Sequence, residues 1–348
     1  MVLIIRKLVL LLIPVLLLPP IYASAETVPE LSAACAVVMN GDGRILYGKN
    51  ENERAAIAST TKLMTALVAS EQTKPDEVVR ITADCCDIEG SSMYLRPGDK
   101  LRVSELLAGL LLVSGNDAAT ALAKYSGGSA ADFVALMNGR AKLLGMENTH
   151  FVNPHGLSED GHYSTAADMG RLMCRVLQSE ELMRLCAMKS CRVGEQVLYN
   201  HNKLLGLCPG CLGGKTGYTM AAGRCLVSAC RRGDTTLVCV TLAAPDDWND
   251  HQKLYNWAFD HYARRDVLRD AAYEVPAASR CAESVRVIPA DRFMLFLPKE
   301  QELTLLPELP HCVLAPVRKG EHAGTLRICC GGETVGECEL VYAEELRE

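Results

Sequence analysis

Ala58-Ser59-Thr60-Thr61-Lys62-Leu63-Met64-Thr65-Ala66-Leu67 is the stretch around which the 348-residue chain is organised. Leu63, Met64, Ala66, Leu67 and Val68 follow a helix-like apolar pattern. Ser59 is a residue type favoured at helix N-caps, so the pattern predicts a helix opening at Ser59 and running to about Ser70. In that geometry Lys62 lies one turn from Ser59 on the same side. A hydroxyl nucleophile then has an amine within reach, with the unpaired N–H groups of a helix start beside it. Taken alone, a capping serine followed by a surface lysine is ordinary, so the reading depends on what else the chain supplies.

The chain begins with Arg6 and Lys7, an apolar run from Leu8 to Leu18 broken by Pro14, and the small-residue signal Ala23-Ser24-Ala25. This is the layout of a secretory leader, with Glu26 as the expected mature N-terminus. An uncleaved anchor is the alternative, and the short, proline-broken run favours cleavage. The protein is therefore expected to be exported and to work outside the cytoplasmic membrane. The net charge is −6, and loss of a leader with two basic and no acidic residues makes it more negative. An acidic chain without a Lys/Arg block is a poor nucleic-acid binder. The length predicts about two domains, and 49% hydrophobic residues suffice for a full core.

Sixteen cysteines in an exported chain invite a disulfide framework. Cys225, Cys230 and Cys239, however, sit in apolar strand-like runs where a thiol serves as a small hydrophobe. Cys85-Cys86 and Cys329-Cys330 are adjacent, and neighbours in a strand face opposite sides. Cys208-Pro-Gly-Cys211 has a spacing open to a disulfide or to reduced thiols. No second cysteine pair or histidine cluster supports a metal there, and no cofactor is expected.

Cys35 to Met39 and Ile45 to Tyr47 read as a hairpin about the turn Asn40-Gly41-Asp42-Gly43. Glu77 to Asp84 and Met93 to Leu101 read as short strands and loop. Ser104 to Val113 is a helix apolar nearly all round, hence buried. A second helix restarts at Asp117 and reaches about Tyr125, and a third spans Ala130 to Leu144. Thr165-Ala-Ala-Asp168 is a capping box opening a helix to about Gln178. Gly214 to Tyr218, Gly223 to Cys230 and Thr235 to Ala243 are successive strands, and Asp250 to Ala263 is a closing helix. The expected fold is α/β (α+β): one sheet with helices on its faces and an inserted helical lobe. Beyond about Arg265, short strands separated by Pro or Gly form a small all-β domain. The expected division is 1–25 leader, 26–265 catalytic domain and 266–348 β-domain. The tail Tyr342 to Glu348 is short and acidic, so any association with membrane or wall is expected to be peripheral.

Two further short motifs bear on Ser59 and Lys62. Ser114-Gly115-Asn116 lies between two helices, where a loop can turn two polar side chains inward. Lys215-Thr216-Gly217 opens a strand, preceded by Gly213 and Gly214, and glycine there permits close approach. Each alone has a structural explanation as a turn or an edge strand. Together, in this order, they form the pattern of serine acyl-transferases of the penicillin-binding and class A β-lactamase type. Gly90-Ser-Ser-Met-Tyr-Leu-Arg-Pro-Gly-Asp99, Gly109-Leu-Leu-Leu-Val-Ser-Gly-Asn-Asp117, Asn153-Pro-His-Gly-Leu157, His162-Tyr-Ser-Thr-Ala166 and Lys215-Thr-Gly-Tyr-Thr219 extend the match. On these the chain resembles the D-alanyl-D-alanine carboxypeptidases, low-molecular-mass penicillin-binding proteins. The likeness covers essentially the whole mature chain. It includes Pro316-Val-Arg-Lys-Gly320 and Leu340-Val-Tyr342 of the tail.

The resemblance implies a β-lactamase/transpeptidase-like catalytic fold and removal of the terminal D-alanine from peptidoglycan stem pentapeptides, with β-lactams as covalent inhibitors. It implies Ser59 as nucleophile, Lys62 as base and Ser114 as proton relay. Asn116 would hold the substrate amide, Lys215, Thr216 and Gly217 the substrate end, and the N–H groups of Ser59 and Tyr218 the oxyanion. A free lysine, pKa about 10.4, is neutral only about once in a few thousand at pH 7. Burial and a second cation lower it by several units, which gives two lysines in one pocket a purpose. His155 and His162 are expected to be structural, since a lysine base fills their role. Arg224 is a secondary carboxylate-binding candidate. Some relatives carry an arginine shortly after the third of these strands; here the segment is Ala244-Pro-Asp-Asp-Trp-Asn-Asp-His251, without one, leaving more of that task to Lys215. A D,D-endopeptidase is chemically adjacent. A class A β-lactamase would need a Glu-x-x-Leu-Asn loop, which is not found between Asn116 and Lys215. A non-catalytic wall-binding module would have no use for a nucleophile–base pair. The expected setting is wall biosynthesis and organisation, with consequences for cell shape, at the outer face of the cytoplasmic membrane.

Overall fold

The computed structural model describes residues 28–347; the leader and its cleavage signal lie outside them. The first hairpin pairs β1 (Cys35–Asn40) with β2 (Ile45–Lys49). A 3-10 turn over Ala58–Thr61 leads into α1 (Lys62–Gln72). The lobe follows: β3 (Val78–Arg80) against β4 (Lys100–Arg102), then α2 (Val103–Leu112), α3 (Asn116–Gly127) and α4 (Ala130–Leu143). After α5 (Ala166–Val176) and α6 (Glu180–Ala187) comes the hairpin of β5 (Ser190–Val193) and β6 (Gln196–Tyr199). A short α7 (Leu204–Leu207) precedes β7 (Cys211–Thr219), β8 (Gly223–Arg232) and β9 (Thr235–Leu242), and α8 (Asp247–His261) packs back on them.

The five-stranded antiparallel sheet runs β2-β1-β9-β8-β7. Its central strands are buried on both faces, and their two-residue alternation feeds two cores. Val37 and Met39, Val227 and Ala229, Val238 and Val240 face the helical lobe. Ala36 and Val38, Leu226 and Cys230, Leu237 and Cys239 face α8 and its Leu254, Tyr255 and Ala258. α2 lies inside the lobe core with Leu106, Leu107, Leu110, Leu111 and Leu112 buried. Each such leucine contributes about 2 kcal/mol of burial. Strand β7 is the edge of the sheet, so one row of its backbone groups is left unpaired by the sheet.

β10 (Tyr262–Asp266) leaves α8 and pairs with β13 (Met294–Pro298). Around it β11 (Tyr273–Ala278), β12 (Ser284–Pro289), β14 (Thr304–Glu308), β15 (Val313–Leu314), β16 (His322–Cys330) and β17 (Glu333–Tyr342) form a six-stranded sheet ordered β14-β16-β17-β12-β11-β15. A separate core runs from Leu268 to Leu346. The described residues contain no helix long and apolar enough to cross a membrane.

Several local readings change. Ser59 is not an N-cap: it sits inside the 3-10 turn, and α1 begins at Lys62 after Thr61, which makes no side-chain cap. The α5 capping box is half formed. Thr165 Oγ1 accepts from the Asp168 N–H, but the Asp168 carboxylate turns to the Asn148 N–H, the Thr149 hydroxyl and Arg171. The closing helix starts at Asp247 rather than Asp250. Cys208 and Cys211 stand as unbridged thiols, and Cys225, Cys230 and Cys239 are buried in the sheet cores.

Candidate active site

The residues between Ser59 and Lys62 turn inward. Thr60 Oγ1 donates to the Ile57 carbonyl at 2.6 Å, and Thr61 Oγ1 pairs with His162 Nε2 at 2.9 Å. One turn later Thr65 Oγ1 donates to the Pro154 carbonyl at 2.5 Å. Both Thr60 and Thr61 are fully buried. The loop at Asn153–Leu157 thus grips the Ser59 turn from beneath. Gly156, at φ +85°, lies so close that a Cβ there would sit 2.0 Å from the Ala58 carbonyl oxygen. Ala58 itself holds the left-handed conformation, φ 46°, a strain of the kind found where function dictates backbone.

Lys62 Nζ is completely buried and meets three oxygens: Ser59 Oγ at 2.9 Å, Asn116 Oδ1 at 2.6 Å and the His155 carbonyl at 2.6 Å. The orientation of the Asn116 amide is fixed because its Nδ2 donates to the Glu89 carbonyl, which can only accept. Two of the three partners of Nζ are therefore obligate acceptors. A neutral amine has two hydrogens and one lone pair; the hydrogens go to Asn116 and His155, and the lone pair is left facing the Ser59 hydroxyl. Burial drives the Lys62 pKa well below its usual value, and the charge of Lys215 adds to this, opposed by Asp117. The neutral form is thus favoured by the same geometry that aims it.

Asp117 directly follows Ser114-Gly115-Asn116, and nothing beyond that adjacency signals its role. It is 1% exposed and accepts from Ser92 Oγ and the N–H groups of Met93, Leu95 and Ala118. It fastens the Ser91–Leu95 loop onto the start of α3, the arrangement that brings Ser91 to the cleft. Asn116 Nδ2 retains a second hydrogen beyond the one given to Glu89. Ser114 has φ 62° and a buried Oγ without a hydrogen-bond partner among the described residues. A buried hydroxyl left unpaired at the wall of a cleft is free to pair with a group bound there.

β7 lies against the Ser59 turn. A Cβ on Gly217 would come within 3.0 Å of the Ile57 carbonyl and the Ser59 and Thr60 nitrogens. Lys215 is 1% exposed, and its Nζ donates to the Thr216 carbonyl at 2.8 Å. Burial lowers its pKa to about 7, so it is partly rather than fully charged at neutral pH. Ser59, Ser91, Ser114, Thr216, Gly217 and Tyr218 line a cleft of about 310 Å³. His201, Lys203, Arg224, Asp247 and Trp248 complete its walls.

The loop histidines are not placed to serve as bases. His162 Nδ1 accepts from the Val152 N–H, which leaves the proton on Nε2 for Thr61. His155 Nδ1 accepts from the Leu157 N–H. Burial lowers both imidazoles to about 4, with Lys62 adding to the shift at His155. No cluster among the described residues could hold a metal ion.

A sequence model described as D-alanyl-D-alanine carboxypeptidase matches residues 22–246. The chain belongs to the D-alanyl-D-alanine carboxypeptidase family. This serine carboxypeptidase is 31% identical to D-alanyl-D-alanine carboxypeptidase DacF of Bacillus subtilis, over 91% of this chain and 86% of that one. It is 32% identical to DacC of Escherichia coli, over 95% and 88% of the two chains. Penicillin-binding protein 6B of Escherichia coli superposes with a TM-score of 0.74 at 26% identity, covering 91% of this chain and 97% of that one. The carboxypeptidase therefore has the penicillin-binding-protein fold with its separate β-domain.

Gly156→Ala tests the grip on the Ser59 turn, because both its positive φ and the Ala58 oxygen oppose a methyl group. The expected result is acylation of Ser59 by a fluorescent penicillin slowed by about 100-fold, the order lost when a reacting group is misplaced by an ångström. Wild-type acylation kinetics in a folded variant would show that the loop does not position Ser59.

Proposed function

We propose that this carboxypeptidase removes the terminal D-alanine of peptidoglycan stem pentapeptides through an acyl-enzyme on Ser59. The observation that carries the reading is the Lys62 amine, held 2.9 Å from Ser59 Oγ with its other two contacts on fixed acceptors. Ser59 Oγ attacks the carbonyl carbon of the penultimate D-alanine as its proton passes to Lys62 Nζ. The oxygen of the tetrahedral intermediate is received by the N–H groups of Ser59 and Tyr218, each such donor being worth about 3 kcal/mol. Ser114 passes a proton to the departing amine, D-alanine leaves, and water hydrolyses the ester by the reverse relay. Asn116 orients Lys62 through Oδ1 and offers its spare Nδ2 hydrogen to the substrate amide. Thr216 lines the cleft at the place of the terminal carboxylate, Lys215 adds positive potential from the other face of β7, where its Nζ holds the Thr216 carbonyl, and Gly217 allows the substrate strand to lie close. β-Lactams enter by the same route and remain on Ser59.

The leader-like N-terminus and the wall-peptide substrate support export and action in the wall, at the outer face of the cytoplasmic membrane. Association with the membrane or wall is peripheral, and the cellular role is wall organisation and shape.

Two experiments test this. Incubation with penicillin is expected to add one antibiotic mass to the Ser59 peptide, and a pentapeptide ending in D-Ala-D-Ala is expected to release D-alanine. Lys62→Ala should slow both by about 100-fold to 10,000-fold, the contribution of general base catalysis. Absence of an adduct on Ser59 together with absence of D-alanine release would refute the reading.

The pH profile is the second. Lys215 at about 7 is charged below that pH and neutral above it, so carboxylate capture should weaken as pH rises through 7. This limb belongs in kcat/KM, which reports the free enzyme. Lys215→Arg, which stays charged, should move the alkaline limb upward. An unchanged limb would show that the charge of Lys215 does not assist capture of the carboxylate.

A further inference from the structure

Arg224 stands on β8 directly opposite Tyr218 of the edge strand, and Leu226 stands opposite Thr216. Residues directly opposite in an antiparallel ladder share a face, so Thr216, Tyr218 and Arg224 project from the side of the sheet that carries α8. Lys215 pairs with Val227 and projects from the other side, into the lobe. The two cations thus reach the edge strand from opposite faces, and it is Arg224, not Lys215, that lines the cleft beside Ser59 and Thr216.

The guanidinium is held rather than loose. Its Nε and Nη2 donate to one oxygen of Asp247, Oδ1, at 3.0 Å and 2.7 Å. Its carbon lies 5.3 Å from the centre of the Trp248 ring. Asp247 is only 2% exposed, and its Oδ1 also accepts from the Trp248 N–H at 2.9 Å. The loop after β9 contains no arginine, and the first residue of α8 beyond it contributes the anion that fixes this one. A guanidinium has five hydrogens; two are given to Asp247, and the rest, on a side chain 40% exposed, remain for the cleft. Lys203, another cation of the cleft wall, is an exposed ammonium on a rotatable stem and lacks this fixed planar fork.

We propose that Arg224, positioned by Asp247 and Trp248, is the residue that recognises the free terminal carboxylate of the substrate, together with the Thr216 hydroxyl. This rests on the carboxypeptidase reading of the cleft and assigns the discrimination between a free C-terminus and a blocked or extended one. Lys215 then acts from beneath the strand, holding the Thr216 carbonyl and supplying positive potential. Asp247 is a positioning residue and does not touch the substrate.

The test compares two substrates in the full-length enzyme: a peptide ending in D-Ala-D-Ala with a free carboxylate, and the same peptide ending in D-alaninamide. Arg224→Ala is expected to lower kcat/KM for the acid by about 10- to 100-fold, the range for losing a charge-assisted hydrogen bond, mainly through KM. The amide should change little, so the acid-to-amide ratio collapses. Arg224→Lys keeps a cation beside Asp247 and should restore part of the ratio. Asp247→Asn keeps Oδ1 as the acceptor and should hold the ratio or raise it. An unchanged ratio in Arg224→Ala, or equal losses on both substrates in Arg224→Ala and Arg224→Lys, would overturn the assignment while leaving the carboxypeptidase reading intact. A wild-type enzyme that neither releases D-alanine nor is acylated by penicillin would overturn both.

Discussion

The fold of the catalytic part serves one constraint: an amine must be kept dry, neutral and aimed at a hydroxyl. Lys62 Nζ satisfies it by dividing its contacts between two oxygens that can only accept and one that can also donate. Remove either acceptor and the amine can turn a hydrogen towards Ser59 in place of its lone pair. Admit water and the ammonium form recovers its solvation. The Asn116 amide and the His155 carbonyl therefore matter as much to the state of this amine as the Ser59 hydroxyl it faces. Burying a lysine has a cost in stability, which the apolar lobe around α2 and the sheet offset.

Each wall of the site comes from a different part of the chain, and each has its own fastening. Thr60, Thr61 and Thr65 hold the turn from within, and the Asn153–Leu157 loop holds it from below. Asp117 fastens the Ser91–Leu95 loop to α3 through three loop donors, Ser92 Oγ and the N–H groups of Met93 and Leu95. Glycines at 214 and 217 let β7 approach β8 on one side and the Ser59 turn on the other, and Gly213 lets it approach Cys186 of α6. A side chain at Gly214 would meet the Val227 carbonyl oxygen at 2.0 Å. The site is thus assembled by close backbone approach and buried polar pairs, which are less tolerant of substitution than apolar contacts.

Much of this was legible in the sequence because the strong signals are periodic. The two-residue alternation of β8 and β9 and the apolar circumference of α2 located those elements within a few residues. The structure brings Ser59, Ser114, Thr216 and Gly217 of the three short motifs around one cleft. Other features were not legible. Ser59 has the composition of an N-cap, but a 3-10 turn and a cap use the same residue types; the difference lies in the grip of a loop about a hundred residues away. α6 and the β5–β6 hairpin were missed because short elements leave few periods to count. Asp117 gave only a weak signal, its adjacency to Asn116. The pairing of Arg224 with Asp247 needs the register of β8 and the start of α8, neither of which can be counted from spacing.

The most direct test of the account is the protonation state of Lys62 in the free enzyme. Nitrogen-15 NMR of the labelled side chain, with Lys62→Arg to assign the signal, reads it without any substrate. A neutral amine at pH 7, titrating well below the ordinary lysine value of 10.5, is the expected result. A Lys62 ammonium that persists to pH 9 or above in the folded enzyme would contradict the account, because an amine without a lone pair cannot take the proton of Ser59.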